Sequence, residues 1–158
     1  MTLARYLSVR LGRLSGPTAG FRVLTRPFGA NTFQRFWQLW NPIVGYYLLV
    51  FVYTPARRIL PRPMALAFTF GVSGFVHDAV IFMPIWAAAG KVAFPTVTVA
   101  FLVISFIVSV SEAVHLDLRR LPPVGRAIVH LAVIGLSVAI SLFLGRSFTE
   151  SIHPGFSG

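Results

Sequence analysis

The chain has 158 residues, of which 56% are hydrophobic and only 11% are charged. A soluble domain of this length cannot bury so much apolar surface, so the composition excludes a soluble protein and predicts an integral membrane protein. The net charge is +10. Because the basic residues flank apolar runs instead of forming a soluble face with interleaved aromatics, they indicate contact with anionic membrane lipids and no nucleic-acid partner.

The first segment, residues 1–35, carries six arginines and no acidic residue. Its apolar pieces are short and are interrupted by glycine and proline, so it lacks the continuous hydrophobic core of a signal peptide. We predict a basic N-terminal segment that lies at the membrane interface.

The next apolar run, residues 43–53 (IVGYYLLVFVY), is shorter than the roughly 20 residues that a spanning helix needs. A basic, proline-rich turn follows it and contains Arg57, Arg58 and Arg62. We predict that residues 43–53 form a short re-entrant or interfacial helix.

Three longer apolar runs follow, at residues 64–89, 92–114 and 126–145. Each is long enough to cross a bilayer. The predicted fold class is therefore all-α: a polytopic transmembrane helix bundle with three spanning helices plus the short re-entrant or interfacial helix. The predicted organisation is a basic segment (1–35), a transmembrane domain (36–145) and a polar tail (146–158).

The positions of the basic residues predict the orientation. If residues 1–62 are cytoplasmic, the loop around Lys91 is outside and the loop with Arg119 and Arg120 is inside, as the positive-inside rule requires. A fully spanning 43–53 would place the early arginines and the Arg57–Arg62 turn on opposite sides. We therefore expect a multi-pass protein of the plasma (inner) membrane with a cytoplasmic N-terminal segment.

His77 is the main candidate for chemistry inside the membrane. It follows Met64 by 13 residues, or roughly 20 Å of helix, and ionisable residues at such depth are costly and usually functional. Each spanning segment also carries a histidine or acid in register with hydroxyls, so we expect these stripes to face a polar interior or narrow cavity. Alternatively, the hydroxyls bond their own helix backbones or hold neighbouring helices together. No pair of ligands has the spacing of a metal motif, so we expect no metal site.

The segments FWQLWNP, YYLLVFVYTPARRILPRP and FTFGVSGFVHD, in this order, resemble the membrane-bound O-acyltransferase family on its wax-synthase-like and bacterial side. The resemblance covers roughly residues 31–90. It matches Asn41 and His77 to the two characteristic polar residues of the family. It implies transfer of an acyl group from acyl-CoA, as co-substrate, to a hydroxyl-bearing lipid or alcohol, with no cofactor.

On this resemblance His77 is the candidate general base, and Asn41 is the candidate group that polarises the thioester or stabilises the oxyanion. The alternative for Asn41 is an ordinary helix N-cap before Pro42. The candidate substrate-binding residues are Trp37, Trp40, Arg57, Arg58 and Ser73. The two tryptophans are alternatively interface anchors, and the two arginines alternatively bind lipid headgroups.

Family members usually have more spanning helices than this chain, which resembles the C-terminal portion of a full enzyme. The alternative functions are therefore a non-catalytic membrane subunit or a truncated remnant of such an enzyme. A second chain or a homo-oligomer would then complete the bundle. A small transporter is a further alternative, although the duplicated halves typical of transporters are absent from the sequence.

Overall fold

The computed structural model of the chain describes residues 2–11, 25–88 and 94–152, and every regular element in these ranges is helical. The helices are α1 (Leu3–Leu11), α2 (Phe33–Leu39), α3 (Pro42–Ala56), α4 (Arg62–His77), α5 (Met83–Ala88), α6 (Thr96–Ala113) and α7 (Pro123–Ile152). A π-helical turn, Asp78–Phe82, joins α4 to α5, and a second one, Leu48–Tyr53, lies within α3. The predicted all-α fold is confirmed.

Three segments are long and apolar enough to cross a membrane: Arg62–Ile85, Thr96–Ala113 and Pro123–Phe148. They confirm the three predicted spans. Helix α3 is apolar but only roughly 22 Å long at about 1.5 Å per residue, which is shorter than a bilayer core. Helix α7 continues to Ile152, so residues 146–152 of the predicted tail are helical, because no proline interrupts the chain before Pro154. Residues 153–158 lie outside the described residues.

A close approach at Gly74 brings α4 against the first turn of α6. A Cβ atom at Gly74 would lie 2.5 Å from the Cα of Thr98, so no side chain fits there. One turn later the buried Asp78 carboxylate accepts hydrogen bonds from the backbone N–H groups of Val97 (3.0 Å) and Thr98 (2.7 Å) and from Thr98 Oγ1 (2.7 Å). These contacts fix α6 along α4.

The opposite end of the same helix pair carries an ion pair. Arg62, at the start of α4, donates to Glu112, near the end of α6, at 2.9 Å. Because the Arg62 side chain is half exposed, this pair contributes at most about 1 kcal/mol. It nevertheless shows that α4 and α6 run antiparallel, with polar contacts at both ends.

The hydroxyl stripes are buried, but they do not form the expected polar interior shared by all three spans. Thr69 donates to Ala65 O and Ser137 donates to Val133 O, each within its own helix. Ser141 instead donates to Thr96 O and joins α7 to α6. The alternative interpretation, that the hydroxyls bond backbone carbonyls, is the one that the structure supports.

Side chains of α7 hold the segment that precedes α2. Arg126 donates to Gly29 O (3.2 Å) and to Asn31 Oδ1 (2.7 Å), and one turn later His130 Nε2 donates to Ala30 O (3.0 Å). The ring of His130 stacks on Phe36 at 4.7 Å and is 1% exposed. Helix α2 therefore belongs to the core of the bundle, where Phe33, Phe36 and Leu39 are buried.

Gly74→Ala should destabilise the protein by about 1–3 kcal/mol, because the added methyl group meets backbone atoms that cannot move aside. The measurement is thermal unfolding in detergent micelles. Gly135→Ala, in α7, is the matched control, since a Cβ atom there meets nothing within 4 Å. Equal midpoints for Gly74→Ala and the wild type would contradict the close approach.

Candidate active site

The described residues enclose a cavity of about 250 Å³ to which helices α1, α2, α3, α4 and α6 contribute. Most of its wall is aromatic or aliphatic. Its charged and strongly polar side chains are Arg10, Gln34, Gln38, Asn41, Arg62 and His77. A mostly apolar cavity with a few polar groups is the usual form of a small-molecule site.

One face of α4 lines the cavity along the whole helix. Leu66, Thr69 and Ser73 of this face recur at helical spacing between Arg62, at the first position, and His77, at the last. The fifteen residue-to-residue steps from Arg62 to His77 correspond to roughly 22 Å of helix. The cavity is therefore elongated, with Arg62 at one end and His77 at the other.

A backbone carbonyl fixes the imidazole of His77. His77 Nδ1 lies 2.6 Å from Ser73 O, and a carbonyl oxygen only accepts, so Nδ1 carries the proton. In the neutral ring Nε2 then has a free lone pair. The ring also lies 5.5 Å from the ring of Phe101, which comes from α6 and lines the same cavity. This tautomer suits a general base.

Asn41 is both the N-cap of a helix and a residue of the cavity wall, the two roles considered for it from the sequence. It has φ 42° and ψ 68°, a left-handed conformation that asparagine tolerates better than most residues. Its Oδ1 accepts from Val44 N (3.4 Å) as the N-cap of α3, so the capping interpretation is confirmed. Asn41 also lines the cavity that contains His77, and its amide nitrogen has no hydrogen bond to the described part of the chain.

Three of the predicted substrate-binding residues, Trp37, Trp40 and Ser73, line the cavity. Trp37 also packs against Phe70 (5.6 Å) and Phe101 (6.0 Å), so it joins α2 to α4 and α6. The Trp40 side chain is 44% exposed. Trp37 therefore packs between helices and also lines the cavity.

The structure does not bring Arg57 and Arg58 to the cavity. Both are exposed in the turn after α3, where Arg57 donates to Leu60 O at 2.6 Å. The cavity arginines are instead Arg10, which donates to Gln38, and Arg62. Arg62 comes from the same basic turn of the sequence as Arg57 and Arg58 and shares a helical face with His77, but no sequence signal pointed to Arg10.

The three histidines within the described residues lie in separate environments. His77 lines the cavity, His130 lies under the aromatic rings of α2, and His115 is exposed with φ 53°. Within residues 2–11, 25–88 and 94–152, no three metal-binding side chains form a group.

The sequence model of MBOAT, the membrane-bound O-acyltransferase family, matches residues 11–145. The chain is also similar to a protein of Arabidopsis thaliana named probable long-chain-alcohol O-fatty-acyltransferase 7. The two are 38% identical over an alignment of 65 residues, and the match covers 35% of this chain and 19% of the plant protein. The chain thus spans about a fifth of the length of this curated relative. No solved structure matches the chain at a significant level.

Proposed function

The chain belongs to the membrane-bound O-acyltransferase family, and from this we propose that it transfers an acyl group from acyl-CoA to the hydroxyl of an alcohol or lipid in the membrane. One observation carries the proposal: His77 and Asn41, far apart in sequence, line the same cavity in a membrane-spanning helix bundle. The acceptor class follows from the long-chain alcohol in the name of the similar plant protein.

His77 acts as the general base in this proposal. Nε2 takes the proton of the acceptor hydroxyl as its oxygen attacks the thioester carbonyl, and Ser73 O holds the ring through Nδ1–H. The tetrahedral intermediate then expels the CoA sulfur as the carbon–sulfur bond breaks. The imidazolium returns its proton to that sulfur, so that the products are an ester and free CoA.

Asn41 acts as the hydrogen-bond donor for the oxyanion. The capping bond of Oδ1 to Val44 N holds the side-chain amide in place, and the amide N–H groups remain available. A preorganised donor of this kind stabilises the charge that develops on the carbonyl oxygen.

The arginine end of the cavity binds the phosphates of CoA. Guanidinium groups recognise phosphate through paired hydrogen bonds, and Arg10 and Arg62 both line the cavity. The pantetheine arm of CoA is about as long as four to five extended residues, or roughly 15 Å. Arg62 and His77 are roughly 22 Å apart along α4. The arm therefore covers most of that distance when a phosphate is bound at the Arg62 end, and it extends the thioester toward His77.

His77→Ala should lower acyl transfer by about 100-fold or more, since the base is lost. The measurement is incorporation of radiolabelled acyl groups from acyl-CoA into a long-chain alcohol or membrane lipid, in membranes containing the chain. His115→Asn, which changes an exposed histidine and tolerates positive φ, should match the wild type. No incorporation by inserted wild-type protein would favour the non-catalytic subunit instead.

Asn41→Asp separates capping from catalysis. The aspartate retains an oxygen for Val44 N and tolerates the left-handed backbone, but it has no N–H to donate. We expect an unchanged unfolding midpoint and a rate about 100-fold lower. If Asn41→Asp keeps full activity while Asn41→Gly is merely less stable, Asn41 is a helix cap and the oxyanion proposal is wrong.

Arg62→Gln and Arg10→Gln should each raise the KM for acyl-CoA by about tenfold, because each removes a charge-assisted hydrogen bond to phosphate. Arg58→Gln tests the arginines of the turn instead. A rise in the KM for acyl-CoA with Arg58→Gln and none with Arg62→Gln would show that the phosphates bind at the turn and not at the cavity.

We also propose that the protein resides in the plasma membrane with a cytoplasmic N-terminal segment. The chain has no cysteine, so single cysteines report topology directly. In intact cells a membrane-impermeant thiol reagent should label Gly90→Cys but neither Ile59→Cys nor Leu116→Cys. Labelling of Ile59→Cys or Leu116→Cys in sealed cells would show that the protein has the opposite orientation.

A further inference from the structure

Asp78 is the buried charged group for which the proposed mechanism has no use. It is 3% exposed and follows His77 directly in the chain. Successive residues of a helix point about 100° apart, and the Asp78 carboxylate bonds Val97 and Thr98 of α6, away from the imidazole.

The Asp78 carboxylate supplies hydrogen-bond acceptors for the backbone N–H groups at the start of α6. The first N–H groups of a helix have no partner within the helix, and the N-terminus carries partial positive charge. Pro95 precedes α6 and offers no capping side chain. Asp78 therefore caps α6 from the neighbouring helix, and it reaches Thr98 because Gly74 lets the two backbones come together.

The position of α6 in turn sets the surroundings of His77. Phe101 follows Thr98 by three residues, about one turn, and its ring contacts the ring of His77 at 5.5 Å. Phe101 also packs against Trp37 (6.0 Å) and Phe70 (6.1 Å) on the cavity wall. A shift of the first turn of α6 would move Phe101 relative to the imidazole.

We propose that Asp78 is a positioning residue for His77, acting through the first turn of α6 and Phe101. Ser73 O fixes one edge of the imidazole and Phe101 bounds its face, so the ring is held from α4 and from α6. The expected effect of Asp78 on the reaction rate rests on the proposed function. The effect of Asp78 on the position of the His77 ring is independent of that function and can be measured in an inactive protein.

The test combines two readouts on Asp78→Asn, Thr98→Val and Thr98→Ser. Asparagine presents an amide NH₂ where α6 presents only donors, valine removes the Oγ1 bond, and serine retains it. Ser137→Val is the control for lost stability, since Ser137 is fully buried on α7, donates to Val133 O of its own helix and does not line the cavity.

The first readout is the NMR signal of the His77 ring protons in micelles, assigned by its disappearance in His77→Gln. The nearby ring of Phe101 gives these protons a ring-current shift. We expect Asp78→Asn and Thr98→Val to change that shift, and Thr98→Ser and Ser137→Val to keep it. An unchanged His77 signal in Asp78→Asn overturns the proposal, whether or not the protein is active.

The second readout is the division between kcat and KM for acyl-CoA, per folded protein. We expect Asp78→Asn to lower kcat about 10- to 100-fold with KM nearly constant, because a misplaced base slows the reaction without weakening donor binding. Thr98→Val should lower kcat less, and Thr98→Ser should restore it. Wild-type kcat in folded Asp78→Asn overturns the positioning role.

The two readouts also separate the two proposals. An inactive wild type, or an active His77→Ala, refutes the proposed function, and the NMR signal alone then decides whether Asp78 positions the ring. If Ser137→Val loses as much kcat as Asp78→Asn at a similar unfolding midpoint, the effect is general destabilisation, and the positioning proposal is wrong.

Discussion

The contact between the Asp78 carboxylate and the first turn of α6 is the constraint on which the rest of the bundle depends. Apolar helices gain little from hydrophobic burial against each other in lipid, so close approach and polar contacts decide how they pair. Here a glycine permits the approach and a carboxylate sets the register. With α4 and α6 paired, the rings of Phe70 and Phe101 meet Trp37, and the cavity gains its wall.

The number of spans and the two main candidate residues of the site were accessible from sequence. Hydropathy and length identify membrane helices because a bilayer imposes one thickness on all of them. The placement of Asn41 and His77 at one cavity followed from a resemblance that treats them as a pair, and the structure places both there. Composition alone would have predicted the membrane helices, but it would not have predicted that Asn41 and His77 share a cavity.

Other features depended on contacts that no local pattern encodes. The docking of α2 on α7 joins Arg126 and His130 to carbonyls and an amide about 100 residues away. The turn arginines Arg57 and Arg58 matched the basic loop of the family, yet the helical register of α4 places Arg62 at the cavity instead. The hydroxyls had equally good partners in their own backbones, and their spacing could not distinguish these from a shared interior.

The packing of α2 against α7 has a consequence for the biosynthesis of the protein. His130 lies 100 residues after Ala30, its hydrogen-bond partner, so the N-terminal part of the cavity wall is synthesised long before the side chains that hold it. At about 5–20 residues per second, the ribosome needs roughly 5–20 s to supply them. During this interval Phe33 and Phe36 have neither His130 nor α7 to pack against. Assembly of the cavity is therefore a late event in biogenesis, and the nascent chain passes through a stage in which an aromatic segment is exposed to lipid or to the insertion machinery.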